Sequence, residues 1–255
     1  MQQNNPIMNR IDNIDKALNL LKAEVGTNTP TPNTLPEKQQ MMRALMNVWQ
    51  PSAPSEALLE AQDAELSLQR EEKGVVTFEE TGMLLWKGDI TRLKVDAIVN
   101  AANSQMLGCF VPLHSCIDNA IHSAAGIQLR WACHELMQRQ GNEEKTGQAK
   151  LTPGFNLPAS YVIHTVGPII ANGIPTEKQQ AELANCYRAC LDVAETHALK
   201  SIAFCCISTG VFRFPQQLAA EIAVNTVRAY QRKHLQTIVF NVFTDTDYDI
   251  YQQLL

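Results

Sequence analysis

VDAIVNAANSQMLGCFVPLHSCIDNAIHSAAG, residues 95–126, holds most of what is needed to read this chain. It opens on an apolar run, Val95 to Val99, and turns polar at Asn100 and Asn103. A loop with Cys109, His114 and Cys116 follows, then an alanine-rich segment that stops at Gly126. That order reads as strand, loop and helix, and the rhythm repeats. Short apolar runs predict strands near 83–87, 95–101, 161–166, 201–207 and 236–243. Amphipathic stretches predict helices near 117–139, 176–197, 215–232 and 245–254. Strands alternating with helices imply right-handed crossovers and a largely parallel sheet. SIAFCCI (201–207) and TIVFNVF (237–243) are nearly continuous apolar runs, as expected of buried parallel strands. The fold class is α/β, and ligands of such sheets settle at the carboxyl ends of the strands.

The first 75 residues read differently. Ile11, Ile14, Leu18, Leu21 and Val25 recur at helical steps. GTNTPTPNT (26–34) breaks that helix, and Pro36 suits the first turn of a second one. Met42, Leu45, Met46 and Trp49 give the second helix an apolar face. After QPSAPS (50–55) a third, charged helix carries Leu58, Leu59, Leu66 and Leu68 and ends near Gly74. Residues 1–75 are therefore expected to be a helical N-terminal extension, packed on the main domain (76–255) or free as a partner-binding arm.

Composition excludes several function classes. The 255 residues carry a net charge of −5 and no long Lys/Arg block, which argues against a nucleic-acid partner. No apolar run approaches the roughly 20 residues that span a bilayer. The start MQQNNPIMNR lacks the pattern of a secretory signal, and seven cysteines suggest no small disulfide scaffold. A cytoplasmic location, with thiols as core residues or metal ligands, is the expectation. There is no G-x-S-x-G elbow and no P-loop, and His134-Glu135 lacks the second histidine of H-E-x-x-H.

Three loops follow predicted strands: WKGDIT (86–91), the 95–126 stretch, and CISTGVFRFP (206–215). Ser208-Thr209-Gly210 between a strand and a helix suits a phosphate, although such residues also serve turns alone. GDIT (88–91), VDAIVNAAN (95–103), DNAIHSAAG (118–126), TGQAKLTPGFNLPASYVIHTVGP (146–168) and ISTGVFRFP (207–215) together closely resemble the macrodomain family, in order and spacing. The resemblance implies a three-layer α/β/α fold with a mostly parallel, mixed sheet that binds ADP-ribose. It implies that Asp89 accepts a hydrogen bond from the adenine amino group and that Ile90 lines that pocket. Asn100 and Asn103 would lie at the ligand end of the VNAAN strand, with Asn103 orienting the ribose that bears the leaving group. Ser208, Thr209, Gly210 and Val211 would wrap the diphosphate, and Phe212 would stack on the second ribose. Asp118 matches the acidic residue of the hydrolytic members, although it would also suit a helix N-cap. His122 and His164 read as packing or orienting residues.

Two departures from the family pattern are informative. Most macrodomains have a run of glycines before the AIH helix, and here only Gly108 remains. Cys109, His114 and Cys116 stand in its place, spaced C-x4-H-x-C. Thiolate and imidazole are the donors zinc prefers, and three of them leave a fourth position open, as in catalytic zinc sites. Read without a metal, the cysteines would be small core residues and His114 a surface residue. The segment resembles the zinc-containing branch of the macrodomains, which implies one Zn2+ on Cys109, His114 and Cys116. The other five cysteines, at 133, 186, 190, 205 and 206, read as core. The second departure is Arg213, where many relatives have glycine; it would reach a phosphate, gate the cleft or face solvent.

The zinc branch implies an activity as well: hydrolysis of mono-ADP-ribose from acidic side chains of a protein, with Asn103 and Asp118 as catalytic residues. The alternatives are a non-catalytic ADP-ribose reader and an O-acetyl-ADP-ribose deacetylase. The resemblance also implies a modified partner, a lipoyl-carrier protein of the glycine-cleavage type, modified by a sirtuin-type transferase.

Overall fold

The computed structural model describes residues 6–255, with side chains from residue 10 onward. Residues 1–5 belong to the leader and to the start read for a secretory signal, and they lie outside the described residues. The leader forms three helices, α1 (Pro6–Val25), α2 (Leu35–Val48) and α3 (Glu56–Lys73). Thr34 and Glu37 form a capping box at the start of α2, and Ser55 Oγ accepts the Leu58 amide to cap α3.

The α/β part runs β1 (Gly82–Lys87), β2 (Ala97–Ala101), α4 (Ile117–Ala125), α5 (Ile127–Gln140), β3 (Ala149–Pro153), β4 (Tyr161–Thr165), α6 (Glu177–Thr196), β5 (Ser201–Phe204), α7 (Gln216–Ala229), β6 (Thr237–Val242) and α8 (Asp245–Leu254). The sheet order is β1-β6-β5-β2-β4-β3. Every pairing is parallel except β3 with β4, where Ala149 faces Thr165 and Pro153 faces Tyr161. The mixed, mostly parallel sheet matches the expectation. Its five parallel strands point their carboxyl ends to one edge, where the three loops collect. Helices α4 and α5, backed by the leader, cover one face, and α6, α7 and α8 cover the other. Tyr187, Phe204, Phe240 and Tyr251 lie in successive ring contact at 5.0, 6.3 and 5.3 Å and tie α6 to α8 through β5 and β6.

Two elements differ from the sequence reading. The helix expected over 117–139 breaks at Gly126, whose φ of 100° lies in the left-handed region. A Cβ there would stand 2.3 Å from Gln128 Oε1 and 2.7 Å from Gln62 Nε2, so only glycine fits. Gln62 of α3 then accepts the Ile127 amide at 2.9 Å and starts α5. Strand β3 went unread because it is a half-exposed edge of mixed polarity, AKLTP, with no continuous apolar run.

The leader is packed, not free. Ile14, Leu18 and Leu21 of α1, Met42 and Met46 of α2, and Leu58 of α3 form an apolar cluster that closes on Ile127 and Trp131 of α5. Trp49 is buried there too, although it lies just past the end of α2. Leu68 faces outward at 36% exposure. Among the described residues, no helix is long and apolar enough to cross a membrane.

Candidate active site

Each parallel strand delivers one part of the site. After β1, Asp89 caps a 3-10 turn, its Oδ1 accepting the Thr91 amide at 2.9 Å and the Thr91 hydroxyl at 2.6 Å. Lys73, the last residue of α3, lies 3.5 Å from Oδ2. Burial raises the Asp89 pKa, but Thr91 and Lys73 outweigh it and hold the carboxyl below the ordinary value. Ile90 is buried against the core. Gly88 exchanges bonds with β6: its amide reaches Val242 O at 2.9 Å, and its carbonyl accepts Asn241 Nδ2 at 3.0 Å. One residue past β6, Phe243 stands 78% exposed. The reading of the sequence missed Phe243, although the rule that ligands sit after the strands applies to β6 as much as to β1.

After β5, the chain turns at Ser208 with a φ of 67°. Ser208 is buried, and its Oγ has no hydrogen-bond partner among the described residues. Gly167, just after β4, makes room for it: a Cβ at 167 would lie 2.0 Å from Ser208 Oγ. Thr209 Oγ1 donates to Cys206 O at 3.1 Å, and Phe212 O accepts the Ile170 amide at 2.8 Å. Among the described residues, the amides of Gly210, Val211 and Phe212 donate to no protein acceptor, while that of Thr209 closes the turn over 207–208. Successive free amides after a parallel strand form a concavity suited to an anion. Val211 is 66% exposed at its rim, and Arg213 is exposed with a φ of 60°.

After β2, Asn103 folds its side chain into the following turn. Oδ1 accepts the Gln105 and Met106 amides at 3.1 and 3.2 Å, and Nδ2 donates to Gly108 O at 3.2 Å. Gly108 has a φ of 81°, and a Cβ there would come within 2.9 Å of the His122 ring. The surviving glycine of this loop is therefore fixed by His122.

Asp118 is buried on the first turn of α4, but it does not cap the helix. Cys116 does, its Sγ accepting the Asn119 amide at 3.4 Å. Asp118 instead faces the sheet, where Oδ1 accepts Asn100 Nδ2 at 2.8 Å. Burial pushes its carboxyl up to about 6 against the opposing pull of Asn100 and Arg130. Asn100, expected at the ligand surface, is fully buried behind Asp118. Its Nδ2 also lies 3.2 Å from His164 Nδ1, and His164 Nε2 lies 2.9 Å from Thr152 Oγ1. Burial drops His164 to about 3, and burial with His164 and Arg130 nearby drops His122 well below the ordinary value. Both rings are neutral near pH 7. The 3.5 Å approach of His122 Nε2 to Asp118 is therefore not an ion pair.

The loop between carries Cys109, His114 and Cys116, all half-buried, with donor atoms within 4.8 Å of one another. Cys109 Sγ lies 3.8 Å from His114 Nδ1. Burial, then the Cys109 thiol and the Asp118 charge, push Cys116 up to about 11. A divalent cation would reverse that, because it stabilises both thiolates. Donor chemistry, number and proximity fit zinc. His122, Cys133 and His164 also converge, but fully buried, and Cys133 is pushed far up by burial. Cys133, Cys186, Cys190 and Cys205 are core residues; Cys206 is half-buried.

Comparison with known proteins identifies the family to which this fold belongs. The Macro domain family matches residues 99–223. The "Protein-ADP-ribose hydrolase" of Treponema medium is 50% identical over 235 residues, spanning 88% of this chain and 90% of that one. The protein of the same name from Staphylococcus aureus (strain MSSA476) is 48% identical over 230 residues, 87% of this chain and 86% of its own length. Among solved structures, the Trypanosoma brucei macrodomain in complex with ADP-ribose superposes with a TM-score of 0.64 at 31% identity, covering 83% of this chain and 94% of that one. The Oceanobacillus iheyensis macrodomain with ADP gives 0.60 at 40% identity over 67% of this chain and 87% of its own. This chain belongs to the macrodomain family and stands among its protein-ADP-ribose hydrolases.

Proposed function

We propose that this enzyme removes single ADP-ribose units from acidic side chains of a modified protein, with one zinc ion on Cys109, His114 and Cys116. The observation that carries the proposal is the half-occupied carboxyl of Asp118. Asn100 takes Oδ1, Oδ2 has no protein partner among the described residues, and the metal-ligand set begins two residues away at Cys116.

ADP-ribose would lie along the strand ends. Its adenine would meet Asp89 and Ile90 at one end, with the exposed ring of Phe243 as a stacking surface. Its diphosphate would take the free amides of 210–212 and the Ser208 hydroxyl, which is buried without a partner. Phe212 and Arg213 would close that loop over the second ribose and the phosphates. The remaining ribose would then sit beside Asn103, Asp118 and the ligand loop.

Zinc bound there would supply Lewis acidity, either to a water molecule or to the ribose hydroxyls and leaving group. Asp118 Oδ2 accepts the proton of the attacking water as the bond between the ribose anomeric carbon and the side-chain oxygen breaks. The products are free ADP-ribose and the restored carboxylate. Asn103 fixes the ribose after exchanging one of its turn contacts. Asn100 aims Asp118.

The test is ADP-ribose release from a carboxyl-linked, mono-ADP-ribosylated carrier protein of the lipoyl type, with enzyme far below substrate. Many turnovers that fall by about 10²- to 10⁴-fold in Asp118→Ala support a hydrolase that uses this carboxyl. Tight ADP-ribose binding with no more than one equivalent released would make the chain a reader.

A further inference from the structure

The leader is bonded directly to the loop that carries the proposed metal ligands. Arg43, on α2, donates through Nη2 to the carbonyl of His114 at 3.0 Å. Its Nε and Nη2 also reach Asn119 Oδ1 at 3.2 and 2.8 Å. Asn47, four residues on and so on the same helix face, accepts the Leu113 amide at 2.9 Å and donates to Ser123 Oγ at 3.0 Å. Arg130 of α5 fastens the other end. Its Nη1 takes the carbonyls of Met46, Asn47 and Trp49 at 3.1, 2.9 and 2.7 Å, and its Nε takes Leu107 O at 2.7 Å. The end of α2 is thus locked to both flanks of the loop.

The backbone of that loop needs such support. Leu113, next to His114, sits at a φ of 57°, a conformation disfavoured for a residue with a Cβ. Its amide is the one Asn47 holds. His114 is gripped at its carbonyl by Arg43. Asn119, which Arg43 also engages, donates through Nδ2 to Val111 O at 3.0 Å and through its amide to Cys116 Sγ. Val111, Leu113, His114 and Cys116 are therefore tied, in one or two steps, to two side chains of α2.

We propose that Arg43 and Asn47 are positioning residues for the metal centre. They hold the 111–116 loop so that Cys109, His114 and Cys116 converge before the ion arrives, which makes the helical extension one wall of the site. This rests on the reading that the three residues bind zinc. A free loop of this length would lose conformational freedom on binding, whereas a pre-ordered one has already lost it. Groups that orient ligands without touching the metal typically change metal affinity by about 10- to 100-fold.

The experiment uses the full chain, stripped of metal, with Co2+ as the probe. Affinity is read from the thiolate-to-cobalt and d–d absorption bands, and zinc release is timed against a chromophoric chelator. Cys116→Ser serves as the ligand control. Arg10→Ala serves as the packing control, because Arg10 ties α1 to Glu65 and Glu72 of α3 away from the loop. The expected result is one tetrahedral Co2+ in the wild type and loss of the thiolate band in Cys116→Ser. Affinity should be about 10- to 100-fold weaker, and zinc release correspondingly faster, in Arg43→Ala and Asn47→Ala, while Arg10→Ala matches the wild type. If either alanine variant does not fold, Arg43→Lys and Asn47→Ser carry the same test, with smaller expected losses. Wild-type affinity in the Arg43 and Asn47 variants, or an equal loss in Arg10→Ala, would overturn the positioning role and leave the zinc reading standing. No thiolate–cobalt band in the wild type would overturn the zinc reading and the positioning role together.

Discussion

Asn100 Nδ2 bonds Asp118 Oδ1 at 2.8 Å and lies 3.2 Å from His164 Nδ1, so one buried amide joins the carboxyl of α4 to the histidine of β4. Both partners depend on that amide, since burial makes an unpaired polar group costly. Asn100→Ala is predicted to lower kcat more than it raises KM, because Asp118 loses aim while the ligand surface is untouched. It should also cost about 1–3 kcal/mol of stability from the groups left unpaired. Steady-state kinetics beside urea unfolding measures the two effects. An unchanged kcat would remove Asn100 from the mechanism.

Phe243 is the aromatic ring left bare at the end of β6. Phe243→Ala should weaken ADP-ribose binding by about 1–3 kcal/mol, the range for stacking of a base on an aromatic ring. Binding of ribose 5-phosphate, which lacks adenine, should not change. Calorimetric titration of both ligands decides it; equal losses for the two would place the effect elsewhere.

Gly167→Ala would drive a Cβ to 2.0 Å from Ser208 Oγ and displace the hydroxyl from the anion cradle. The expected outcome is weaker binding of ADP, about tenfold or more, as for loss of a hydrogen bond to a charged group. Gly173→Ala, where a Cβ meets nothing within 4 Å, should leave ADP binding as it is. Its positive φ of 74° limits any cost to local strain.

The buried histidines set an acid limit on stability. Unfolded histidine titrates near 6.5, whereas His164 is held down to about 3 and His122 is also well below its ordinary value. Below about pH 6.5 the unfolded chain binds protons that the native one refuses, so stability falls with pH, by up to about 1.4 kcal/mol per pH unit for each group. Asp118 acts in the opposite sense. Its carboxyl, raised to about 6, binds a proton in the native state first and adds stability as pH falls through 6 towards the unfolded value near 3.9. The three groups together predict a net uptake of about one proton on unfolding in that window. Urea unfolding of the metal-free protein from pH 7 to 4 measures it, and His164→Gln should flatten the slope. A slope that ignores the substitution would contradict the assignment.

Much of the fold was legible because it rests on local pattern. Within the apolar runs at 201–207 and 237–243, residues 202–204 and 237–242 are buried on both faces, and the runs read directly as central strands. Strand β3 lacked that signal, since one side of an edge strand meets solvent and its alternation is blurred. The break at Gly126 depends on Gln62, which comes from a helix more than sixty residues earlier, and no local window contains that contact. The site divides the same way. Cys109, His114 and Cys116 were visible because all three lie in one loop. Arg43, Asn47 and Arg130 were not, because what they hold is mostly backbone carbonyl and amide, which leaves no spacing to recognise.

Release of free ADP-ribose from a carboxyl-linked mono-ADP-ribosylated protein, before and after zinc removal by a strong chelator, tests the central claim most directly. The account predicts many turnovers that vanish when zinc is shown to be gone and return when zinc alone is added back. Undiminished turnover by protein shown to be free of metal would contradict it, and would leave Asp118 and Asn103 to act without an ion.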